Sequence, residues 1–109
     1  MHELGLTQEI IEIVKEAARE RKVKRVVLEI GKLSCVLPDA VQFCFDLCAE
    51  GTVAEGAELE IIQPSGVGRC RRCKETFPLD SALAYCVCGS LDIEWISGEE
   101  LRVKSVELE

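Results

Sequence analysis

The sequence predicts an α+β fold: two helices packed on a small mixed sheet, with a cysteine-rich lobe inserted ahead of the last strands. Three observations carry this expectation. Apolar residues recur at helical spacing in two separate segments, one near the start and one opening at Pro38. Short runs of alternating apolar residues follow each helical segment and return at the C-terminal end. Between them, from Arg69 to about Ser90, the chain becomes rich in cysteine and poor in large aliphatics.

The first helix is read from Leu6 to Glu20. Leu6, Ile10, Val14 and Ala17 form its apolar stripe, widened by Ile11 and Ala18, while Glu9, Glu12, Glu16 and Arg19 fall largely on the other side. Val26, Leu28 and Ile30 then alternate with Arg25, Val27 and Glu29 as a strand, ended by Gly31. Pro38 suits the first turn of a second helix, where its missing N–H is no loss. Val41, Cys44, Phe45 and Cys48 mark that helix's inward face, and Gly51 is its C-terminal cap. Ala57, Leu59 and Ile61 alternate as the next strand. Pro64 to Gly68 is read as a break in regular structure. Leu91, Ile93 and Trp95 alternate again, Ser97-Gly98-Glu99 reads as a turn, and Leu101 to Leu108 is the final strand. Leu101 and Val103 share one parity there, Val106 and Leu108 the other, which predicts a bulge or a change of burial. The expected division is residues 1–65 plus 96–109 as one domain and 66–95 as the inserted lobe.

With 109 residues and 48% hydrophobic content, the chain has the size of one ordinary domain and enough apolar surface for a core. Its net charge of -7 sets up an acidic field that disfavours phosphate backbones and anionic lipid surfaces. No apolar run is long enough to span a membrane. The start, Met1-His2-Glu3-Leu4, lacks the basic and apolar regions of a secretory signal. The expected location is the cytoplasm. Reducing conditions there disfavour disulfides, so close pairs among the seven cysteines read as metal ligands.

Cys70 and Cys73 form a C-x-x-C pair, and Cys86 and Cys88 follow as C-x-C. Four thiolates suit tetrahedral zinc, and a lobe too short for its own core gains stability from such a staple. The lobe is therefore expected to be zinc-ribbon-like. One intervening residue gives the second pair less freedom than two, although Gly89 relieves crowding at the turn. A site of three cysteines with another ligand, and a metal-free redox pair, stay open as alternatives. Arg69, Arg71, Arg72 and Lys74 surround the first pair. They read either as a solvated rim or as a nucleic-acid contact, which makes a zinc-ribbon nucleic-acid-binding or regulatory module the alternative function.

His2 is the only histidine. It reads either as an incidental exposed residue or as a ligand. An unblocked Met1 amine, the His2 backbone nitrogen and the His2 imidazole can close two adjacent chelate rings on one ion, with the Glu3 backbone nitrogen or an external donor completing the set. Nitrogen-rich square-planar donors favour Ni(II) or Cu(II). The Glu3 carboxylate could orient the imidazole, or simply sit at a helix start where negative charge is favoured. Of the remaining cysteines, Cys44 and Cys48 lie one turn apart on an apolar face and are read as core thiols rather than as a second metal site. Without a placed histidine no Ser/His/Asp set forms, and no phosphate-binding glycine loop occurs, so no enzyme is expected.

These residues coincide with a known pattern. Met1-His2-Glu3-Leu4, Val27 to Val36, Phe43-Cys44-Phe45-Asp46, Gly51 to Ala57, Cys88-Gly89-Ser90-Leu91 and Val103 to Glu107 appear in an order that resembles the HypA/HybF family of hydrogenase nickel-incorporation proteins. The resemblance spans essentially the whole chain. It implies a nickel metallochaperone that binds Ni(II) through Met1, His2 and Glu3 and passes it to the [NiFe]-hydrogenase large subunit. It implies a structural zinc held by Cys70, Cys73, Cys86 and Cys88. It further implies a HypB-type hydrogenase-maturation GTPase as partner and, for some members, a role with urease maturation proteins. The family's second pair is C-x-x-C. Here Tyr85 stands where its first cysteine belongs, and Cys86 is displaced by one residue.

Overall fold

In the computed structural model, residues 2–80 and 85–109 are described. Met1, named above as a nickel ligand, lies outside them. The described elements are α1 (His2–Ala18), β1 (Val23–Ile30), α2 (Pro38–Ala49), β2 (Glu58–Ile62), β3 (Val67–Cys70), β4 (Thr76–Pro78), β5 (Ile93–Ser97) and β6 (Leu101–Leu108). They fall into two compact units. One comprises Met1–Glu29, Val36–Ile62 and Arg102–Glu109, and the other Ile30–Cys35 and Gln63–Leu101.

The first unit is built on a three-stranded sheet of order β2-β1-β6. β1 runs parallel to β2, with Val26 opposite Leu59 and Leu28 opposite Ile61. Backbone bonds from Glu109 N–H to the Lys22 carbonyl and from Gly31 N–H to the Glu100 carbonyl bracket β1 and β6 and make that pair antiparallel. The sheet is therefore mixed, as the sequence suggests. A parallel neighbour requires a crossover, and α2 supplies it. α1 and α2 pack on each other. The core joins Ile10, Val14 and Ala18 of α1, Val41, Phe45 and Ala49 of α2, and Val26 and Leu28 of β1.

α1 begins four residues earlier than the apolar stripe indicates. Its buried face is Thr7, Ile10, Ile11, Val14 and Ala18, while Ala17 is exposed. Thr7 turns inward because its hydroxyl donates to the Glu3 carbonyl at 2.6 Å, which satisfies its polar atom. α2 starts at Pro38 and ends at Ala49, two residues before Gly51, whose φ of +76° is the left-handed stop that glycine supplies. β1 is central rather than half-exposed: every residue from Val26 to Ile30 is buried. Glu29 is the charged exception, and its carboxylate accepts from Arg102 Nε at 2.5 Å. Arg25, of like parity on β1, pairs with Glu107 at 3.0 Å. Arg102 and Glu107 have unlike parity on β6, so the parity change written in that strand is real.

The second unit holds a three-stranded antiparallel sheet of order β4-β3-β5. β3 and β4 correct the expectation that Pro64–Gly68 only interrupts structure. Gly66 and Gly68 here serve close packing instead of a turn. A Cβ on Gly66 would collide with the Leu79 carbonyl, and one on Gly68 would lie 2.9 Å from Ile93 Cγ2 and 3.3 Å from Phe77 Cζ.

Candidate metal centres

Two hairpin-like turns of the second unit carry the four cysteines of the lobe. Cys70 ends β3 and Cys73 follows in the turn toward β4, while Cys86 and Cys88 occupy the turn that precedes β5. Their sulfurs all lie within 4.8 Å of one another. Cys70 Sγ is 3.7 Å from Cys88 Sγ, and Cys73 Sγ is 3.5 Å from Cys86 Sγ. A tetrahedral ion with Zn–S bonds of roughly 2.3 Å needs sulfurs about 3.8 Å apart. The donor set and its spacing are compatible with a tetrahedral ion such as zinc, and the Cys86 sulfur is one of the four that lie together.

The C-x-C spacing works because its turn is one residue tighter throughout. In the first turn, Cys70 N–H donates to the Glu75 carbonyl at 2.9 Å and the Cys70 carbonyl accepts from Lys74 N–H at 2.9 Å. In the second, Cys86 N–H donates to the Ser90 carbonyl at 3.0 Å and the Cys86 carbonyl accepts from Gly89 N–H at 2.8 Å. Each bond of the second turn spans one residue fewer. The residue directly after the second cysteine is left-handed in both turns, Lys74 at φ +71° and Gly89 at φ +92°. Glycine removes the strain of that conformation where the tighter turn needs it most.

The sulfurs are not equivalent. Cys70 and Cys86 are buried, whereas Cys73 and Cys88 are exposed. The Cys73 N–H, 3.4 Å from Cys70 Sγ, holds the Cys70 thiol well below its ordinary range, helped by the Arg72 N–H and the Cys88 and Cys73 thiols against the opposing effect of burial. The Cys88 N–H draws Cys86 down, but burial together with the sulfurs of Cys73, Cys88 and Cys70 pushes it well above the usual thiol range. Without a cation, four adjacent sulfurs cannot all ionise; a divalent ion is what makes a tetrathiolate stable here.

The basic residues around the first pair are partly committed to the lobe itself. Arg71 Nη1 pairs with Asp92 Oδ1 at 2.8 Å, its N–H donates to the Asp92 carbonyl, and Lys74 Nζ donates to the Arg71 carbonyl. Arg71 is thereby engaged within the lobe by an exposed ion pair.

At the other end of the chain, His2 is the first residue of α1 and is exposed, and Glu3 is half-buried. The first N–H groups of a helix have no intrahelical acceptor. The backbone nitrogens of His2 and Glu3 can therefore be given to a metal without breaking α1. The Glu3 carboxylate faces the backbone N–H of Leu37 at 3.4 Å, at the N-terminal cap of α2. That partner was invisible in the sequence, although Pro38 marks the helix start beside it. Cys44 is buried in α2 and Cys48 is half-buried, with its thiol raised by burial and then by Cys44. Among the described residues, the four lobe cysteines are the only group of three or more metal-binding side chains brought together.

No described helix is long and apolar enough to cross a membrane. Residues 1–108 match the family model described as hydrogenase/urease nickel incorporation, metallochaperone, hypA. The chain is 54% identical over its full length to the hydrogenase maturation factor HypA of Nostoc punctiforme, covering 96% of that protein. It is 46% identical over 100% of both chains to that of Geobacter sulfurreducens. Among solved structures, it superposes on the nickel metallochaperone HypA of Helicobacter pylori with a TM-score of 0.70 at 23% identity, covering 97% of this chain and 96% of that one. A second HypA solution structure gives 0.73 at 27% identity, covering 100% and 97%. The first of these likenesses speaks to the fold alone. The full-length family match and the near-half identities speak to lineage, and with them the chain belongs to the HypA family of nickel-incorporation metallochaperones.

Proposed function

We propose that this chain carries one Ni(II) at its N-terminus and releases it to the [NiFe]-hydrogenase large subunit, in company with a HypB-type maturation GTPase. Met1 would contribute its amine, His2 its imidazole and backbone nitrogen, and Glu3 its backbone nitrogen. Residues 1–65 with 96–109 form the nickel-binding domain in this reading, and 66–95 the lobe in which Cys70, Cys73, Cys86 and Cys88 hold a structural zinc. The chain carries and does not catalyse; its place of work is the cytoplasm, where the acceptor is assembled.

The observation that carries this reading is the position of the only histidine at the exposed opening of α1, in a chain whose family incorporates nickel. A ligand set at a helix start is reached from solvent, so an acceptor can replace its donors one at a time. Each backbone nitrogen that ligates gives up a proton, so affinity rises with pH. Glu3, tied to Leu37 N–H, would keep the helix opening in place while the ion is exchanged.

The test is nickel titration of protein without an N-terminal tag, beside His2→Ala. Wild type is expected to bind about one nickel per chain, and the variant to lose it while zinc content is unchanged. Full nickel affinity in His2→Ala would overturn the N-terminal site. Transfer of nickel from the loaded chain to isolated large-subunit precursor, measured by metal content after separation, tests delivery.

A further inference from the structure

Two thiols of α2 belong to neither metal centre. Cys44 and Cys48 lie four residues apart within the helix, so their side chains leave the same face one turn from each other. Cys44 is 4% exposed and forms part of the core, whereas Cys48 is half-buried. Cys48 lines an open hollow of about 320 Å³ together with Ile11, Glu12 and Lys15 of α1 and Thr52 beyond the end of α2. The pair is thus enclosed at one sulfur and reachable from solvent at the other.

Helical spacing decides what chemistry the pair can do. Residues i and i+4 hold their Cβ atoms about 5–6 Å apart. A disulfide needs about 3.5–4.5 Å. The two sulfurs therefore cannot bond to each other without unwinding α2, but one interposed atom spans the gap. Burial, and then the neighbouring Cys44, hold the Cys48 thiol protonated. A cation between the sulfurs offsets both effects, because it takes the place of the protons. Among the described residues no third metal-binding side chain joins the pair. Two donors fall short of the four that structural zinc takes. Soft sulfur donors in small number suit a thiophilic ion such as Cu(I).

We infer that Cys44 and Cys48 form a two-sulfur site for a thiophilic monovalent cation of the Cu(I) class, entered through the hollow beside Cys48. Binding exchanges protons for the ion: two thiols and one monovalent cation give an anionic bis-thiolate complex and two protons released to solvent. The metal keeps its oxidation state. Lys15 places a positive charge on the wall of the hollow, beside the anionic product, and Glu12, its ion-pair partner at 3.0 Å, shares that wall. The donors differ in class from the nitrogens at the start of α1, so the site does not draw on the residues proposed for Ni(II).

The test uses full-length, zinc-loaded protein under anaerobic conditions, titrated with Cu(I) from a bicinchoninate buffer and followed by copper and zinc content. Wild type should take up about one Cu(I) per chain with its zinc retained. Cys48→Ser and Cys44→Ala should each lose that ion, because one sulfur does not make the site, while His2→Ala should keep it. Unchanged helical circular dichroism and zinc content show that the variants fold. Cys48 is half-buried, so Cys48→Ser decides the question if Cys44→Ala does not fold. X-ray absorption at the copper edge of the loaded wild type should show two sulfur neighbours. A wild type that takes up no Cu(I), copper that enters only as zinc leaves, or equal uptake by wild type and Cys48→Ser would each overturn the inference. So would a copper neighbour set containing one sulfur or more than two.

Discussion

Cys35, Cys44 and Cys48 lie outside the four-sulfur cluster, and their surroundings assign them different reactivities. Cys35 is exposed in a left-handed loop position at φ +63°. Cys44 is buried among the α1–α2 core. Cys48 lines a hollow of about 320 Å³ with Gln8, Ile11 and Glu12, but burial and the neighbouring Cys44 disfavour its thiolate. Alkylation of zinc-loaded protein should therefore modify Cys35 first, Cys48 slowly and Cys44 only on unfolding. Peptide mass mapping along an iodoacetamide time course reads this order, and early labelling of Cys44 would contradict the packing of α2. Both helical cysteines read as core thiols from their spacing, which holds for Cys44, while Cys48 is only half-buried. The difference between them was not legible there, because it depends on which side of α2 the α1 helix covers.

At the scale of elements, the strands of the second unit depend on residues that look like breakers. Gly66 and Gly68 flank Val67 in the chain, and no alternation of large apolar residues announces β3. Their role emerges only from what lies opposite. A methyl on Gly68 presses on Ile93 Cγ2 and the Phe77 ring, which can shift; a methyl on Gly66 presses on the Leu79 backbone carbonyl, which cannot. Gly68→Ala should cost about 1–3 kcal/mol, the usual range for overpacking. Gly66→Ala should cost more. Denaturant unfolding of the zinc-loaded variants followed by Trp95 measures both, since Trp95 lies opposite Gly68 on β5 and is the only tryptophan. Equal costs would mean that the backbone at Leu79 yields as easily as a side chain.

At the scale of the whole molecule, the two units differ in what holds them together. The first has a core of Val14, Val26, Leu28, Val41 and Phe45, each almost wholly buried. Among the described residues, the second has few large buried side chains, Ile30 and Leu79, and gathers its turns around the four sulfurs. A metal bound there contributes to folding directly, because the site does not exist in the unfolded chain. Removal of zinc with a strong chelator should therefore shift Trp95 fluorescence while leaving the helical circular dichroism of α1 and α2 largely in place. Simultaneous loss of both signals would show that the first unit cannot stand without the metal.

Much of this organisation was legible in the chain itself. Helical period, the proline at the opening of α2, the glycine after its end and the cysteine spacing are local features, and local features survive in sequence. The full span of β6 and its parity change were legible for the same reason. What required the tertiary structure was every property set by residues far apart in the chain. The burial of both faces of β1 follows from the strands and helices that surround it. The strand β3 packs as it does because Gly68 within it admits Ile93 and Phe77, and Gly66 just before it admits the Leu79 carbonyl. Cys86 joins the cluster because a turn one residue shorter still aims its sulfur at Cys73, and only the positions of all four sulfurs together could decide that.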